Sequence, residues 1–277
     1  MIAGAAALVL AGVATPFPVE TQLRRGAAIQ PLATVAGGDF VFGAGVSARR
    51  DAGFPLSGLT GDLYSYAALH AAYGFADRAV FEITGTLASV LRVESAGLEP
   101  PAPVEGAGPG SRLTDVGDFE LAVTFLPGRL GGLRFGGYLA AKLPNATEAS
   151  GIGTNTTDVT FGGAGAWGGS EWQLTWRAGV SILQVPAQVF EQSDVFAYAA
   201  EWLWSPAGSV RVAVGTRGLA NTRPTVRVGT EDTGEALLSG EWRLGNWVLD
   251  ITGGRGYTTR SGSWTAGAGV AYRITNN

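Results

Sequence analysis

The chain contains no cysteine, which excludes a disulfide framework, a thiolate nucleophile and any zinc site of the cysteine type. Its one histidine is His70, so a multi-histidine metal site cannot be assembled. Charge is scarce as well. Asp, Glu, Lys and Arg make up 15% of the 277 residues, against roughly 25% in soluble globular domains, and that deficit points to a second apolar surface beyond an ordinary core. A net charge of −4 and the lack of any basic stripe argue against a nucleic-acid partner. Long hydrophobic runs are missing too. The apolar stretch from Ile2 to Thr15 is shorter than the about 20 residues that a membrane-crossing helix needs. If the chain spans a membrane, it does so with strands.

That early stretch has the length of a signal-peptide core. Residues 1–20 read as a signal peptide, with Gly12-Val13-Ala14 as a small-x-small cleavage site. No basic residue precedes Arg24, which places the true start upstream or leaves the signal degenerate. Residues 21–37 read as a periplasmic N-terminal segment and residues 38–277 as a membrane domain.

Alternation at a period of two fills that domain. In Gly117 to Pro144, Phe119, Leu121, Val123 and Phe125 share one face of a strand, and Glu120, Ala122 and Thr124 share the other. After a Pro/Gly-rich link, Leu133, Phe135, Leu139 and Leu143 oppose Arg134, Tyr138 and Lys142. The stretch predicts a β-hairpin. Similar runs recur at Gly38–Arg49, Asp62–Gly74, Arg78–Val90, Thr157–Trp167, Trp172–Leu183, Asp194–Trp204, Ser209–Leu219, Glu235–Leu244, Asn246–Arg255 and Trp264–Ile274. Apolar residues recur at two rather than at three or four, and 43 glycines are scattered through the runs, so helices are excluded. Together these make about twelve strands of roughly ten to twelve residues, the length of a tilted membrane-crossing strand.

The links between runs alternate in length. Short ones at 75–77, 127–132, 168–171, 205–208 and around Gly245 take turns with long polar ones at 51–61, 92–115, 144–156, 184–193, 220–234 and 256–263. Tight periplasmic turns and longer outer loops produce this alternation directly, and an even strand number puts both chain ends on the periplasmic side. The expected fold is all-β: a transmembrane up-and-down antiparallel β-barrel of about 12 strands.

Side-chain placement agrees with an inverted barrel. Trp167, Trp172, Trp202, Trp204, Trp242 and Trp247 lie beside short links, where indoles settle into a membrane interface. The opposite faces collect Arg49, His70, Glu82, Glu120, Arg134, Lys142, Asp158, Arg177, Glu201, Arg211, Arg217, Glu241, Arg243, Asp250 and Arg273 among small residues. A soluble barrel would turn such charges outward; a lipid-embedded one turns them to its lumen. Glu82, Glu120, Arg134, Lys142, Arg177, Glu201, Arg211, Arg217, Glu241, Arg243, Asp250 and Arg273 are therefore candidate pore-lining residues. Plausible neighbouring opposites are Glu120 with Arg134, Glu201 with Arg211, and Asp250 with Arg273. Two readings stay open: the charges line a pore and tune which solute passes, or they close the lumen as an ion-paired plug in a structural or surface-recognition barrel.

Short motifs add a resemblance. Tyr73-Gly74-Phe75-Ala76-Asp77-Arg78 is similar to a Tyr-Gly-aromatic-or-Leu-x-Asp-Arg turn found in Gram-negative outer-membrane proteins labelled with the MetA pathway of phenol degradation, or simply as transporters. Val116 to Leu121 is similar to that family's Gly-Asp strand start. Leu143-Pro144 resembles its Leu-Pro strand end, although Asn145 and Ala146 stand where the family has Thr-Gly. Gly269-x-x-Tyr272-x-Ile274 resembles the signal read by the barrel-assembly machinery, here followed by Thr275, Asn276 and Asn277. The resemblance covers Asp62 to Ile274. It implies an outer-membrane barrel for uptake of small, often hydrophobic or aromatic, solutes, with outer-membrane lipid and the assembly machinery as partners and no cofactor.

Two other motifs carry nothing further. Gly163 to Gly168 fits the dinucleotide pattern G-x-G-x-x-G but sits within a strand instead of opening a helix. A lipid hydrolase would need a serine beside His70, and Ser65 is too distant along the same strand and on the other face by parity. No catalytic residue is assigned, and no enzyme is expected.

Overall fold

The computed structural model describes residues 37–75, 78–98, 100–169, 171–184, 193–224, 226, 228–258 and 260–275. The expected signal peptide, nearly all of the expected periplasmic segment, Ala76-Asp77 of the turn motif, residues 185–192 of one long link and the final Asn276-Asn277 lie outside them. A strand in lipid must have every backbone donor and acceptor paired within the protein, and only a closed sheet achieves this for strands. The chain does so with β1 Phe40–Phe54, β2 Leu59–Phe75, β3 Ala79–Ala96, β4 Arg112–Asp115, β5 Phe119–Leu130, β6 Leu133–Leu143, β7 Val159–Gly168, β8 Trp172–Leu183, β9 Ser193–Ala207, β10 Val210–Ala220, β11 Thr233–Leu244, β12 Trp247–Gly256 and β13 Trp264–Ile274.

Each strand pairs antiparallel with its neighbours, and the sheet closes where β1 meets both β13 and β2. β4 and β5 lie end to end along β3, against Ser89–Arg92 and Ala79–Thr84 respectively. They act as one stave, so the all-β barrel has 12. Among the described residues no helix is long and apolar enough to cross a membrane; crossing falls to the strands.

The bounds of β6, β8 and β13 coincide with the runs expected from alternation. Elsewhere strands run on at the long-loop end. β1 reaches Phe54 and β3 reaches Ala96, and β4 lies inside a link expected to be loop. There the polarity of the two faces inverts, with Leu91 and Val93 buried and Arg92 and Glu94 exposed on β3, yet the backbone ladder continues, because ladder bonds do not depend on side-chain polarity. Irregular backbone also shifts parity. The register slips between Gly45 and Ser47, where Ala67 on β2 takes φ 50, and again between Arg49 and Ala52, where Asp51 takes φ 52. One consequence corrects the sequence reading: Ser65 and His70 both point inward, buried at 3% and 2% exposure, because the bulge at Ala67 restores the parity that counting along a regular strand denies.

The β5–β6 hairpin shows how register is set. Leu130 faces Leu133 at the turn and Phe119 faces Leu143 at the far end, with a bulge between Phe125 and Gly128. At that bulge the Phe125 carbonyl comes so close to Gly136 that a Cβ there would lie 1.9 Å from the oxygen. Replacing Gly136 by alanine is expected to lower stability by about 1–3 kcal/mol through overpacking against backbone, read as a lower urea midpoint of the micelle-embedded barrel.

The interior is layered. Val41, Ala72, Val80, Val248 and Ala271 pack together at the short-turn end. At the long-loop end Ala52, Phe54, Leu59, Leu63, Leu91 and Val93 surround Ile152, which descends from the link between β6 and β7. Between these two apolar layers the inward faces carry charge.

Candidate functional site: the lumen and its mouth

All twelve sequence-selected charged residues sit on inward faces. Glu82, Glu120, Lys142, Arg177, Arg217, Glu241 and Asp250 are buried, whereas Arg134, Glu201, Arg211, Arg243 and Arg273 are partly exposed. Arg134, Arg211, Arg243 and Arg273 lie near the short turns, so water reaches the lumen from that end. The six tryptophans face outward: Trp167, Trp172, Trp202, Trp204, Trp242 and Trp247 are all exposed beside the short turns, and the Trp167 and Trp172 rings meet edge-on with centroids 5.1 Å apart. Trp176 is also outward and rests on Gly165, where a Cβ would come within 2.6 Å of the indole. That seat accounts for Gly165 of the dinucleotide-like pattern, and the Trp172 carbonyl oxygen, 2.4 Å from where a Cβ would stand, accounts for Gly168.

Charge in the lumen is organised as separate knots. Near the long-loop end the Glu235 carboxylate, 0% exposed, accepts from Arg49 at 2.7 Å, Arg217 at 3.1 Å and the Thr265 hydroxyl at 2.8 Å. Arg217 and Glu235 are direct cross-strand partners, while Arg49 reaches Glu235 from β1, past β13 and β12. A second knot centres on Lys142, whose Nζ lies 2.8 Å from Asp158 and 3.4 Å from Asp118 and donates to Thr154 at 2.8 Å and Thr156 at 3.2 Å. A third joins His70 Nε2 and Glu82 Oε1 at 3.4 Å. Toward the short turns Arg243 donates to Glu241 at 2.6 Å, with Arg211 at 3.8 Å. Arg273 Nε donates to Asp39 at 2.8 Å. The Arg177 guanidinium stands 5.0 Å from the centroid of the Tyr138 ring, a cation–π contact strengthened by desolvation.

These partners correct two of the three expected pairs. Glu120 faces Lys142 in the hairpin, far from Arg134, which lies near the turn opposite Arg129. Glu201 and Arg211 do attract each other, and Arg211 is shared with Glu241, its cross-strand partner. Asp250 faces Glu241 and Gly269, while Arg273 holds Asp39. Proximity in the sequence had stood in for hairpin register, and register depends on the turn.

Glu235 and Asp39 were not selected from the sequence, although parity with Glu241 and with Val41 places both on the inward face. The mouth could not be read in that way. There an open pocket is lined by Phe54, Leu56, Ile152, Thr154, Glu231 and Arg260, among others, contributed by the end of β1 and by links that are distant in sequence. Arg260 Nη2 donates to Glu231 at 2.5 Å on its wall. Ser57 donates its hydroxyl to the Gly151 carbonyl at 2.8 Å, tying the Ile152 link to the β1–β2 link. Among the described residues no group of three or more His, Asp or Glu is arranged to hold a metal ion.

No family model matches the chain, and no curated protein matches its sequence. Solved structures share its fold. The COG4313 outer membrane channel from Pseudomonas putida F1 superposes with a TM-score of 0.60 at 14% identity, covering 87% of this chain and 97% of that one. The NanC porin superposes with a TM-score of 0.53 at 8% identity, covering 85% and 99%. Likeness at this identity establishes the fold, a closed antiparallel β-barrel like those of these outer-membrane proteins.

Proposed function

We propose that the chain is an outer-membrane channel for passive uptake of small hydrophobic or aromatic solutes, closed in the state described. The mouth pocket carries this reading: Phe54, Leu56 and Ile152 form apolar walls beside the Glu231–Arg260 pair, few polar groups set in an apolar lining as in small-molecule sites. A solute seated there has the Ile152 link between itself and the charged lumen. Movement of that link would open a path past Glu82, Glu120, Arg134, Lys142, Arg177, Glu201, Arg211, Arg217, Glu241, Arg243, Asp250 and Arg273, the residues proposed to line it. The resemblance to the phenol-degradation family supports the same solute class, and the COG4313 protein that shares the fold is itself an outer membrane channel. In this reading the aromatic row beside the short turns anchors the barrel in outer-membrane lipid, and β13 is the strand read by the barrel-assembly machinery.

One observation favours a second reading, a structural or surface-recognition barrel with a closed lumen: Glu82 and Glu235 are 0% exposed, as in a permanent plug. Planar-bilayer recording separates the two. The channel reading expects stepwise current from the wild-type protein and larger or longer steps after removal of residues 150–153. A silent wild type and a silent deletion variant, both shifting in heat-dependent gel mobility as folded barrels do, would establish the plug.

A further inference from the structure

One sector of the lipid-facing surface ends unlike the rest. Arg50 on β1 pairs with Trp264 on β13, and Trp264 with Arg255 on β12, so the three form a single row. On its other flank Arg92 on β3 pairs with Asp62 on β2 and with Arg112 on β4. The four arginines are exposed and outward, because Arg49 and Leu91 beside them in the chain are buried and Leu113, next to Arg112, packs on the interior cluster. The Arg255 guanidinium stands 5.4 Å from the centroid of the Trp264 ring. Among the described residues Arg50, Arg92 and Arg112 make no ion pair, and Arg92 and Arg112 sit directly opposite each other, a like-charge arrangement that destabilises a strand pair unless an anion lies between.

Height along the barrel places this row at a membrane surface. From Phe40 to Arg50 is about 33 Å of strand at roughly 3.3 Å per residue, and a tilt of about 40° reduces this to about 25 Å, the height of the apolar band. Phe40, Phe42, Ala44 and Val46 cross the band, and Arg50 emerges at its far edge, on the long-loop side that faces the cell exterior. Directly beneath the row, the next outward positions in register are Ala48, Ala266 and Gly253, and a Cβ on Gly253 would meet nothing within 4 Å. Three small residues side by side leave a shallow furrow that runs down to Val46, Ala268 and Ile251. In the opposite half of the barrel the outward positions at this end include Leu143, Val159, Ile182 and Phe196, with no comparable arginine row.

We infer that Arg50, Arg255 and Trp264, flanked by Arg92 and Arg112, bind the phosphorylated headgroup of an outer-leaflet lipid whose acyl chain lies in the furrow over Ala48, Ala266 and Gly253. Guanidinium forks match phosphate oxygens, Trp264 supplies an interfacial ring, and the furrow accepts a hydrocarbon chain without displacing a side chain. The inference depends on how the barrel sits in the membrane and is independent of whether it conducts.

Native mass spectrometry of the purified, delipidated barrel tests it with a bis-phosphorylated glucosamine lipid (lipid A), the same lipid without phosphates, and inorganic phosphate. The expected results are a retained adduct with lipid A, none with the dephosphorylated lipid, and an affinity weakened on the order of tenfold or more by R50Q/R255Q. Ala266→Phe, which fills the furrow and leaves every arginine, is expected to lose the adduct as well and serves if the double variant does not fold. Unchanged affinity in the folded variants, or equal binding of the dephosphorylated lipid, would overturn the assignment. Displacement by inorganic phosphate at the lipid's own concentration would identify a free-anion site and overturn it equally.

Discussion

Replacing Glu235 by alanine is expected to destabilise the barrel by about 3–5 kcal/mol, because it leaves buried guanidiniums without their carboxylate. Arg49 and Arg217 both bond Glu235, and both side chains are nearly as buried as the carboxylate, at 3% and 4% exposure. The measurement is the urea midpoint of the protein refolded into lipid vesicles. A control separates loss of pairing from loss of volume. Changing Glu235 to leucine together with Arg49 and Arg217 to methionine removes the whole ionic group and fills its space, and buried ionic groups replaced in this way are often neutral or stabilising. The triple variant is therefore expected to recover most of the loss. If Glu235→Ala unfolded at the wild-type midpoint, the knot would be solvated and the lumen there open to water.

Ile251→Arg is expected to cost about 2–4 kcal/mol, the penalty of an arginine at the bilayer midplane on the lipid face of a barrel. Ile251 points outward at 58% exposure, halfway between Trp247 at one interface and Arg255 at the other on β12. The same change at Ile274, outward at the short-turn end of β13, is expected to cost only about 0–1 kcal/mol. A soluble barrel would tolerate both substitutions within about 0.5 kcal/mol, as exposed surface positions usually do. The depth dependence separates lipid from water, and vesicle-embedded unfolding curves of the two variants read it directly.

Alternation carried the architecture because in a lipid-embedded barrel each strand is a two-faced object, and its period survives in Phe119 to Phe125, in Leu133 to Leu143 and in nearly every later run. The faces of the candidate charges followed from the same period. What parity could not supply was the irregular backbone. Ala67 and Asp51 adopt positive φ with no glycine to mark them, so the bulge that turns Ser65 inward has no signature in composition. Pairing was lost for a related reason: Glu120 meets Lys142 only because the β5–β6 turn closes at Leu130 and Leu133, two residues beyond the Pro127-Gly128 pair, where the sequence suggests that the strand stops. The mouth was illegible altogether. Leu56, Ile152, Glu231 and Arg260 come from four separate links, and nothing local to any one of them indicates the others.

A barrel that turns its apolar face to lipid around a lumen packed by its own side chains fixes what each residue of β5 can meet. The chain has no cysteine, so single cysteines from Phe119 to Phe125 can carry spin labels without removing any background thiol. Labels at 119, 121, 123 and 125 in vesicles are expected to collide with oxygen dissolved in the bilayer, and labels at 120, 122 and 124 to be shielded both from oxygen and from a water-soluble nickel chelate. Strong collision with the nickel chelate at 120, 122 and 124 would mean a water-filled pore at rest, and loss of the two-residue period would contradict the barrel itself.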